Sequence, residues 1–165
     1  PQLSVAIPHT MKAESQTEEL RRTVQLFVRH LGLLDVRRTP CGHPLSVAQA
    51  HALMFLRAQP PEEAPPSQQV LADHLQLNKS TVTRLLRQLK SRHLVQLETC
   101  PADKRAKRIH LTEQGRQTAA NVNRTSQELF GAVLSNLPEA SREGVIQAVQ
   151  ELTLAIQQRH EGNSP

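Results

Sequence analysis

The sequence feature that most constrains the fold is an amphipathic segment, Asn78–Leu94. Its apolar residues recur at positions i, i+3, i+4 and i+7, the spacing of one face of an α-helix; they are Val82, Leu85, Leu86 and Leu89. Asn78 stands just ahead of them, and its side-chain oxygen can accept a backbone N–H from the first helical turn. The segment therefore predicts a short helix that buries one face and leaves a polar face exposed.

The same region concentrates the positive charge of the chain. Residues 79–108 contain nine Lys and Arg but only two acidic residues, a net charge of +7, whereas the whole chain of 165 residues carries +5. The rest of the chain is therefore slightly acidic. This asymmetry is typical of a protein whose partner is a polyanion.

Turn and strand signals surround the basic helix. Upstream, Ser67 can cap a short helix, with the small Ala72 where two helices cross. The apolar residues of that helix are Val70, Leu71 and Leu75. Downstream, Leu94–Thr99 and Arg108–Leu111 favour short strands on either side of a charged, Pro-containing turn. The order predicts a helix-turn-helix followed by a β-wing.

The N-terminal part predicts two more helices. Residues 1–13 contain two prolines and little periodicity, which favours an irregular arm. Ser15 and Glu18 match a capping box that opens a helix extending to about Leu34. A second capping box, Ser46 with Gln49, opens a helix that extends through Arg57.

Two long helices are expected after the wing. Thr112 can cap a helix that ends near Ser135, and Pro138 suits the first turn of a final helix. The expected fold class is mainly α with a small β-wing: six helices, forming a winged helix-turn-helix plus terminal dimerisation helices. We expect a DNA-binding domain at 45–112, a helical dimerisation region formed by 14–40 and 113–160, and the arm at 1–13.

The terminal helices also predict an oligomer. The first helix and the last two have apolar stripes but lie outside the helix-turn-helix. A symmetric homodimer would bury these stripes, and DNA-binding proteins commonly pair two recognition helices across a palindromic site.

Composition narrows the function further. Aromatic residues make up only 2% of the chain, which disfavours stacking on single-stranded nucleic acid and favours duplex DNA. Apolar runs of membrane-spanning length and a signal-peptide pattern are lacking, so we expect a cytoplasmic protein with no membrane partner. Neither a Gly-rich phosphate loop nor a nucleophile motif is found, which argues against an enzyme. The alternative function is a non-specific architectural DNA-binding protein.

In sequence order, these elements resemble the MarR family of bacterial winged-helix regulators. The residues that carry the resemblance are Leu45-Ser46, Leu71-Ala72, Lys79 to Arg84, Asp103-Lys104-Arg105 and Leu111 to Gly115. The resemblance covers about residues 14–160. It implies a six-helix homodimer that binds a palindromic operator and represses transcription until an effector arrives. One departure is His93, where many relatives have Gly.

The resemblance also implies contacts with DNA. The expected DNA-binding residues are Lys79, Ser80, Thr81, Thr83, Arg84, Arg87, Lys104, Arg105 and Lys107, with Asp103 orienting Arg105. The short polar side chains and Arg84 match contacts to the major groove. Arg105 matches a wing-tip arginine that enters the minor groove, where a guanidinium suits the narrow, electronegative floor.

The effector is left open among three classes. Cys41, His43 and His51 are soft ligands near one another in sequence and are candidates for a metal ion such as Zn²⁺ or Cu(I). Alternatively, Arg37, Arg38 and His43 favour a reactive thiolate at Cys41 that senses an oxidant. A small apolar or aromatic ligand is the third class, and a buried, inert Cys41 is the structural reading. Cys100, on a predicted wing strand, is most simply structural.

Overall fold

The computed structural model describes residues 9–99 and 107–162, with side chains at 15–99 and 107–159. It contains six helices and one small sheet within these ranges. The helices are α1 His9–His30, α2 Val47–Arg57, α3 Gln68–Leu75, α4 Lys79–Ser91, α5 Glu113–Ser135 and α6 Glu139–Gly162. The strands are β1 Val95–Thr99 and β2 Lys107–Leu111, between α4 and α5. The predicted fold class, mainly α with a β-wing, is confirmed.

Most of the predicted helix starts are confirmed. Their capping residues bond backbone groups only three residues away, so the short sequence pattern is sufficient to predict them. Ser46 and Gln49 form the full capping box at the start of α2. The side chains of Ser67 and Asn78 accept backbone N–H groups at the starts of α3 and α4. Thr112 Oγ1 accepts the N–H of Gly115 at 2.9 Å and so caps α5.

The first helix differs from its prediction at both ends. It begins at His9, so Ser15 lies inside the helix and residues 9–13 are not an irregular arm. Neither Pro nor Gly stands between Pro8 and Gly32, so nothing in that stretch stops the helix from extending past Ser15. The helix ends at His30 rather than near Leu34, and Gly32 follows with a left-handed φ of 79°.

The core lies in the winged-helix region. Val82, Leu86 and Leu89 of α4 are at most 2% exposed, and they belong to one buried cluster with Leu53 and Leu71. The same cluster takes in residues of β1, β2 and the first half of α5, whereas none of the described α1 side chains is buried. The predicted apolar stripe of α4 therefore holds the helix in the core and determines which face of the helix is exposed.

The wing is an antiparallel pair with an additional contact on its outer edge. Strands β1 and β2 pair in the register Val95↔Leu111 to Thr99↔Lys107. On the other side of β2, the N–H of Ile109 donates to the carbonyl of Pro66 at 3.0 Å. The Pro-rich loop before α3 is thereby tied to the wing and to the helix-turn-helix.

The chain divides into two compact units, with the division between Asn123 and Arg124, inside α5. The second unit holds the end of α5 and all of α6, whose large apolar residues are exposed. They include Val145, Ile146, Val149, Leu154 and Ile156, which are 41% to 57% exposed. None of the helices in the described ranges combines the length and apolar character needed to cross a membrane.

Candidate nucleic-acid interface

Helix α4 presents a polar and basic face to solvent. The residues of this face that are exposed are Lys79, Ser80, Thr83, Arg84 and Arg87, and Thr81 is half-buried. All six were predicted to contact DNA. Because the opposite face is anchored in the core, this face is presented on a helix that cannot rotate about its own axis. Short hydroxyl side chains at the N-terminal end, with arginines behind them, suit entry into a major groove.

The hydroxyl groups on this face are already engaged within the protein. Ser80 donates to Asn78 Oδ1 at 2.7 Å, in addition to the cap that Asn78 provides to the N–H of Thr81. Thr83 donates to the carbonyl of Lys79 at 2.8 Å. Gln68 of α3 donates from its side-chain amide both to Thr83 Oγ1 and to the same carbonyl of Lys79. The two helices of the helix-turn-helix are therefore joined by side-chain hydrogen bonds at the end expected to enter DNA.

A second amide joins α4 to α2. Gln49 Nε2 donates to Gln88 Oε1 at 2.9 Å, and Gln49 Oε1 accepts the N–H of Ser46 as part of the α2 capping box. Gln49 is only 8% exposed. A buried amide that is hydrogen-bonded at both ends resists displacement, because any shift would leave a polar group unpaired. Gln49 therefore fixes the C-terminal half of α4.

Two of the nine basic residues in 79–108 form hydrogen bonds with backbone carbonyls of the protein itself. Arg92 donates to the carbonyl of Pro44 at 2.7 Å, across 48 residues of sequence. Arg108 donates to the carbonyl of Pro65 at 2.9 Å and is part-buried. Both guanidinium groups therefore hold loops that lead into α2 and α3.

The predicted wing-tip contacts lie outside the described residues. These are Asp103, Lys104 and Arg105, and Cys100 lies in the same stretch. Lys107, the first residue of β2, is exposed at the distal end of the wing, opposite Thr99. On the wing itself, His110 Nε2 lies 3.0 Å from Glu98 Oε2, within ion-pair distance.

The candidate sensing residues are not assembled as a three-ligand metal site. Within residues 9–99 and 107–162, no group of three His, Cys, Asp or Glu side chains is close enough to hold a metal ion. His51 is exposed on α2, and Cys41 Sγ lies 3.2 Å from Thr39 Oγ1. Cys41, His43 and His51, although close in sequence, therefore do not form a three-ligand group in the described residues.

Thr39 organises the loop that holds Cys41. It is 6% exposed, and its backbone N–H donates to the carbonyl of His43 at 3.0 Å. Its hydroxyl oxygen accepts the N–H of His43 at 2.9 Å. Gly42 sits between them with a φ of 89°, which L side chains rarely adopt. Sequence reasoning named Cys41 and His43 in this stretch but missed Thr39, and it also missed Gln49 and Gln68 as partners of α4.

Comparison with known proteins agrees with this geometry. Residues 43–106 match the model of the MarR family. The winged helix-turn-helix of this chain is therefore similar to that of the MarR family. Members of this family are transcription regulators and not enzymes.

Solved structures show the same fold over most of the chain. The Staphylococcus aureus MepR–DNA complex is 19% identical, with a TM-score of 0.61, and the match covers 91% of this chain and 99% of that one. PcaV from Streptomyces coelicolor, in complex with its natural ligand, is 19% identical, with a TM-score of 0.64, covering 83% and 91%. The heme sensor PefR from Streptococcus agalactiae, in complex with heme, is 17% identical, with a TM-score of 0.55, covering 89% and 92%.

The backbone at His93 shows where the departure noted in the sequence lies. His93 has a left-handed φ of 57°, the backbone conformation that favours Gly. Its N–H donates to the carbonyl of Lys90, and its own carbonyl accepts from Thr112 Oγ1 at 2.7 Å. The chain therefore makes the turn between α4 and β1 with a residue that carries a side chain.

Proposed function

We propose that this chain is a sequence-specific transcriptional regulator that binds a palindromic operator in double-stranded DNA as a homodimer. The observation that carries the proposal is α4. Its apolar face is almost completely buried, while Lys79, Ser80, Thr83, Arg84 and Arg87 are exposed on the other side. A fixed helix with this face can enter a major groove and contact base edges, while the basic wing lies along the phosphates.

The homodimer is supported by the apolar residues of the terminal helices. On α1, Leu20 and Phe27 are 50% and 55% exposed, and on α6, Val149 and Ile156 are 53% and 49% exposed. Large apolar surfaces of this kind mark interaction sites. We propose that 14–40 and 113–160 form the dimerisation region and that 45–112 is the DNA-binding domain. Two copies would then present two α4 helices to the two half-sites of a palindrome.

Repression relieved by an effector is the regulatory mode we propose, and the cytoplasm is the compartment in which it would act. An open pocket of about 240 Å³ lies where the start of α2, the end of α4 and α5 meet; its lining includes His43, Arg92, Gln114 and Asn121. Polar side chains from the loop before α2, from the residue after α4 and from α5 line this one pocket, which favours a small organic ligand. The structures of PcaV and PefR contain a natural ligand and heme, respectively. Because no three-ligand group exists in the described residues, a small ligand is favoured over a metal ion at Cys41.

The alternative is a non-specific architectural DNA-binding protein. It would share the positive charge of residues 79–108, and it would bind all duplexes of equal length with similar affinity. The engaged hydroxyl groups and the two amide contacts of α4 favour the regulator, because binding to phosphates alone does not require a helix held in one orientation.

The test is selection of a binding site by the full chain from a pool of random duplexes. We expect an enriched palindrome, bound at least about a thousandfold more tightly than a shuffled duplex of equal length and composition at physiological salt. Sedimentation of the complex should give two chains per palindrome. Equal affinity for the enriched and shuffled duplexes would refute sequence-specific regulation and favour the architectural alternative.

A further inference from the structure

The side-chain amide of Gln68 is placed to control how Thr83 meets DNA. Gln68 is the first residue of α3, and Thr83 lies one turn inside α4 on its exposed face. Gln68 Nε2 donates to Thr83 Oγ1 and also lies 3.2 Å from the carbonyl oxygen of Lys79. One amide therefore bonds two acceptors that lie one turn apart on α4.

The donors in this network are fixed by chemistry. The carbonyl of Lys79 can only accept, so the 2.8 Å contact from Thr83 Oγ1 uses the hydroxyl hydrogen of Thr83. The same carbonyl faces the Gln68 amide, so the nitrogen of that amide, and not its oxygen, must point at it. The amide nitrogen then donates its other hydrogen to Thr83 Oγ1. The Thr83 hydroxyl has no hydrogen left for a base or a phosphate.

We propose that Gln68 is a positioning residue that makes Thr83 present its methyl group, and not a hydroxyl donor, to the major groove. Thr in a helix divides between two χ1 rotamers, and the contact with Gln68 favours the one in which Oγ1 bonds the Lys79 carbonyl. Because the hydroxyl hydrogen is committed to the Lys79 carbonyl, the group that we expect Thr83 to present is its γ-methyl. In the major groove, the apolar partner for a Thr methyl is the 5-methyl group of thymine. The inference rests on the proposed function and assigns one base preference to it.

The experiment replaces thymine by deoxyuridine, which removes only the 5-methyl group. The probe is the palindrome that the wild-type chain selects from random duplexes, substituted at one thymine at a time and symmetrically in both half-sites. For the full-length wild type, we expect one position at which the substitution weakens binding about fourfold per half-site, the worth of one buried methyl group. Thr83→Ser keeps the hydroxyl but lacks the methyl, so its affinities for the thymine and uracil duplexes should be equal.

Gln68→Ala tests the positioning role, and Gln69→Ala is its matched control. Gln69 is the next residue of α3, and its amide bonds only Asp73 of the same helix, at 2.8 Å. We expect Gln68→Ala to lower the thymine-to-uracil ratio at that position at least about twofold, and Gln69→Ala to leave the ratio unchanged. Circular dichroism of both variants establishes that they are folded.

The outcomes are distinguishable. If the selection enriches no duplex, the proposed function fails before Gln68 is tested. If a palindrome is found but no thymine methyl matters, Thr83 does not present its methyl and the inference is wrong. If Gln68→Ala weakens all duplexes equally and keeps the wild-type ratio, Gln68 contributes affinity alone, which also overturns its role in specificity.

Discussion

The carbonyl oxygen of Leu94 occupies the space that a Cβ atom on Gly115 would need. Gly115 is buried in the first turn of α5, and Leu94 is the residue that leads from α4 into β1. Thr112 fastens the same crossing, because its N–H donates to the carbonyl of Leu94 at 3.2 Å and its hydroxyl donates to the carbonyl of His93. The end of α4, the wing and α5 therefore meet at one backbone contact that only glycine permits.

Gly115→Ala should destabilise the chain by about 3 kcal/mol, because the added methyl group meets a backbone carbonyl that cannot rotate away. The measurement is the free energy of unfolding in urea. Gly131→Ala provides the control: Gly131 also lies in α5, and nothing lies within 4 Å of the place that a Cβ atom on it would take. Alanine there should be neutral or stabilising by up to about 1 kcal/mol. Similar effects at both positions would show that the Leu94 contact does not restrict residue 115.

His93→Gly should raise the free energy of unfolding by roughly 0.5–1 kcal/mol. The left-handed φ of 57° costs a side-chain-bearing residue about 1–2 kcal/mol, part of which is offset by the greater entropy of Gly in the unfolded chain. Ser91→Gly, at a right-handed helical position two residues earlier, should lower it by a similar amount. If both glycines destabilise, the His93 side chain makes stabilising contacts that outweigh the backbone strain.

The helices could be predicted from the sequence because their signals are local. Asn78, Ser67 and Ser46 each bond a backbone N–H only three residues away. An apolar stripe is also local, yet it does not state how much of it is covered: Val70 belongs to the predicted face of α3 and is 46% exposed. The predicted start of α1 is wrong because a capping-box pattern inside a longer helix has the same residue spacing as one at a helix end.

The partners of the site residues could not be predicted in the same way. Gln49 reaches Gln88 across 39 residues, and Arg108 reaches Pro65 across 43. Such pairs exist only after α2, α3 and the wing have packed together. Charge counting therefore located the candidate DNA-binding surface in the sequence but could not separate arginines that face outward from those that hold loops.

The proposed homodimer predicts that acidic residues on α6 will weaken the association of the two chains. Val149→Asp combined with Ile156→Asp should raise the dimer dissociation constant by about a hundredfold or more, because both residues would place a carboxylate in an apolar interface. Sedimentation velocity of the full chain over a range of concentrations measures this constant. The control is Gln150→Asp, on the same helix and already polar, which should remain dimeric. A wild-type chain that sediments as a monomer at all concentrations would contradict the proposed assembly.

The Cys41→Ser variant tests whether Cys41 is a sensing residue or a structural one. Cys41 is half-buried, and its sulfur is paired with the hydroxyl of Thr39 at 3.2 Å, a contact that serine can reproduce. Since we propose a small ligand as the effector, we expect the variant to bind the selected palindrome with the wild-type affinity. It should also respond to Zn²⁺, Cu(I) and an organic peroxide as the wild type does. If one of these reagents changes DNA binding by the wild type but not by the variant, Cys41 is the sensor.

Alanine variants of Arg84 and Arg108 should differ in effect: the first should change DNA binding, and the second should change the free energy of unfolding. Arg84 is exposed on α4, whereas Arg108 is part-buried with its guanidinium on the carbonyl of Pro65. Arg84→Ala should lower the slope of log binding constant against log salt concentration by up to about one, since one cation at the DNA surface is lost. Its free energy of unfolding should change by less than about 0.5 kcal/mol. Arg108→Ala should instead cost about 1 kcal/mol of stability, the worth of one hydrogen bond to a charged group at a partly exposed site.

The two measurements on each arginine variant decide the assignment together. Urea unfolding reports the Pro65 contact, which ties β2 to the loop before α3 and does not require DNA. The salt dependence of binding to the selected palindrome reports contacts with phosphates and is insensitive to a uniform loss of stability while the variant stays folded. If Arg108→Ala lowers the salt slope by a full unit and leaves unfolding unchanged, then Arg108 contacts DNA. The hydrogen bond to Pro65 would then be incidental to the wing.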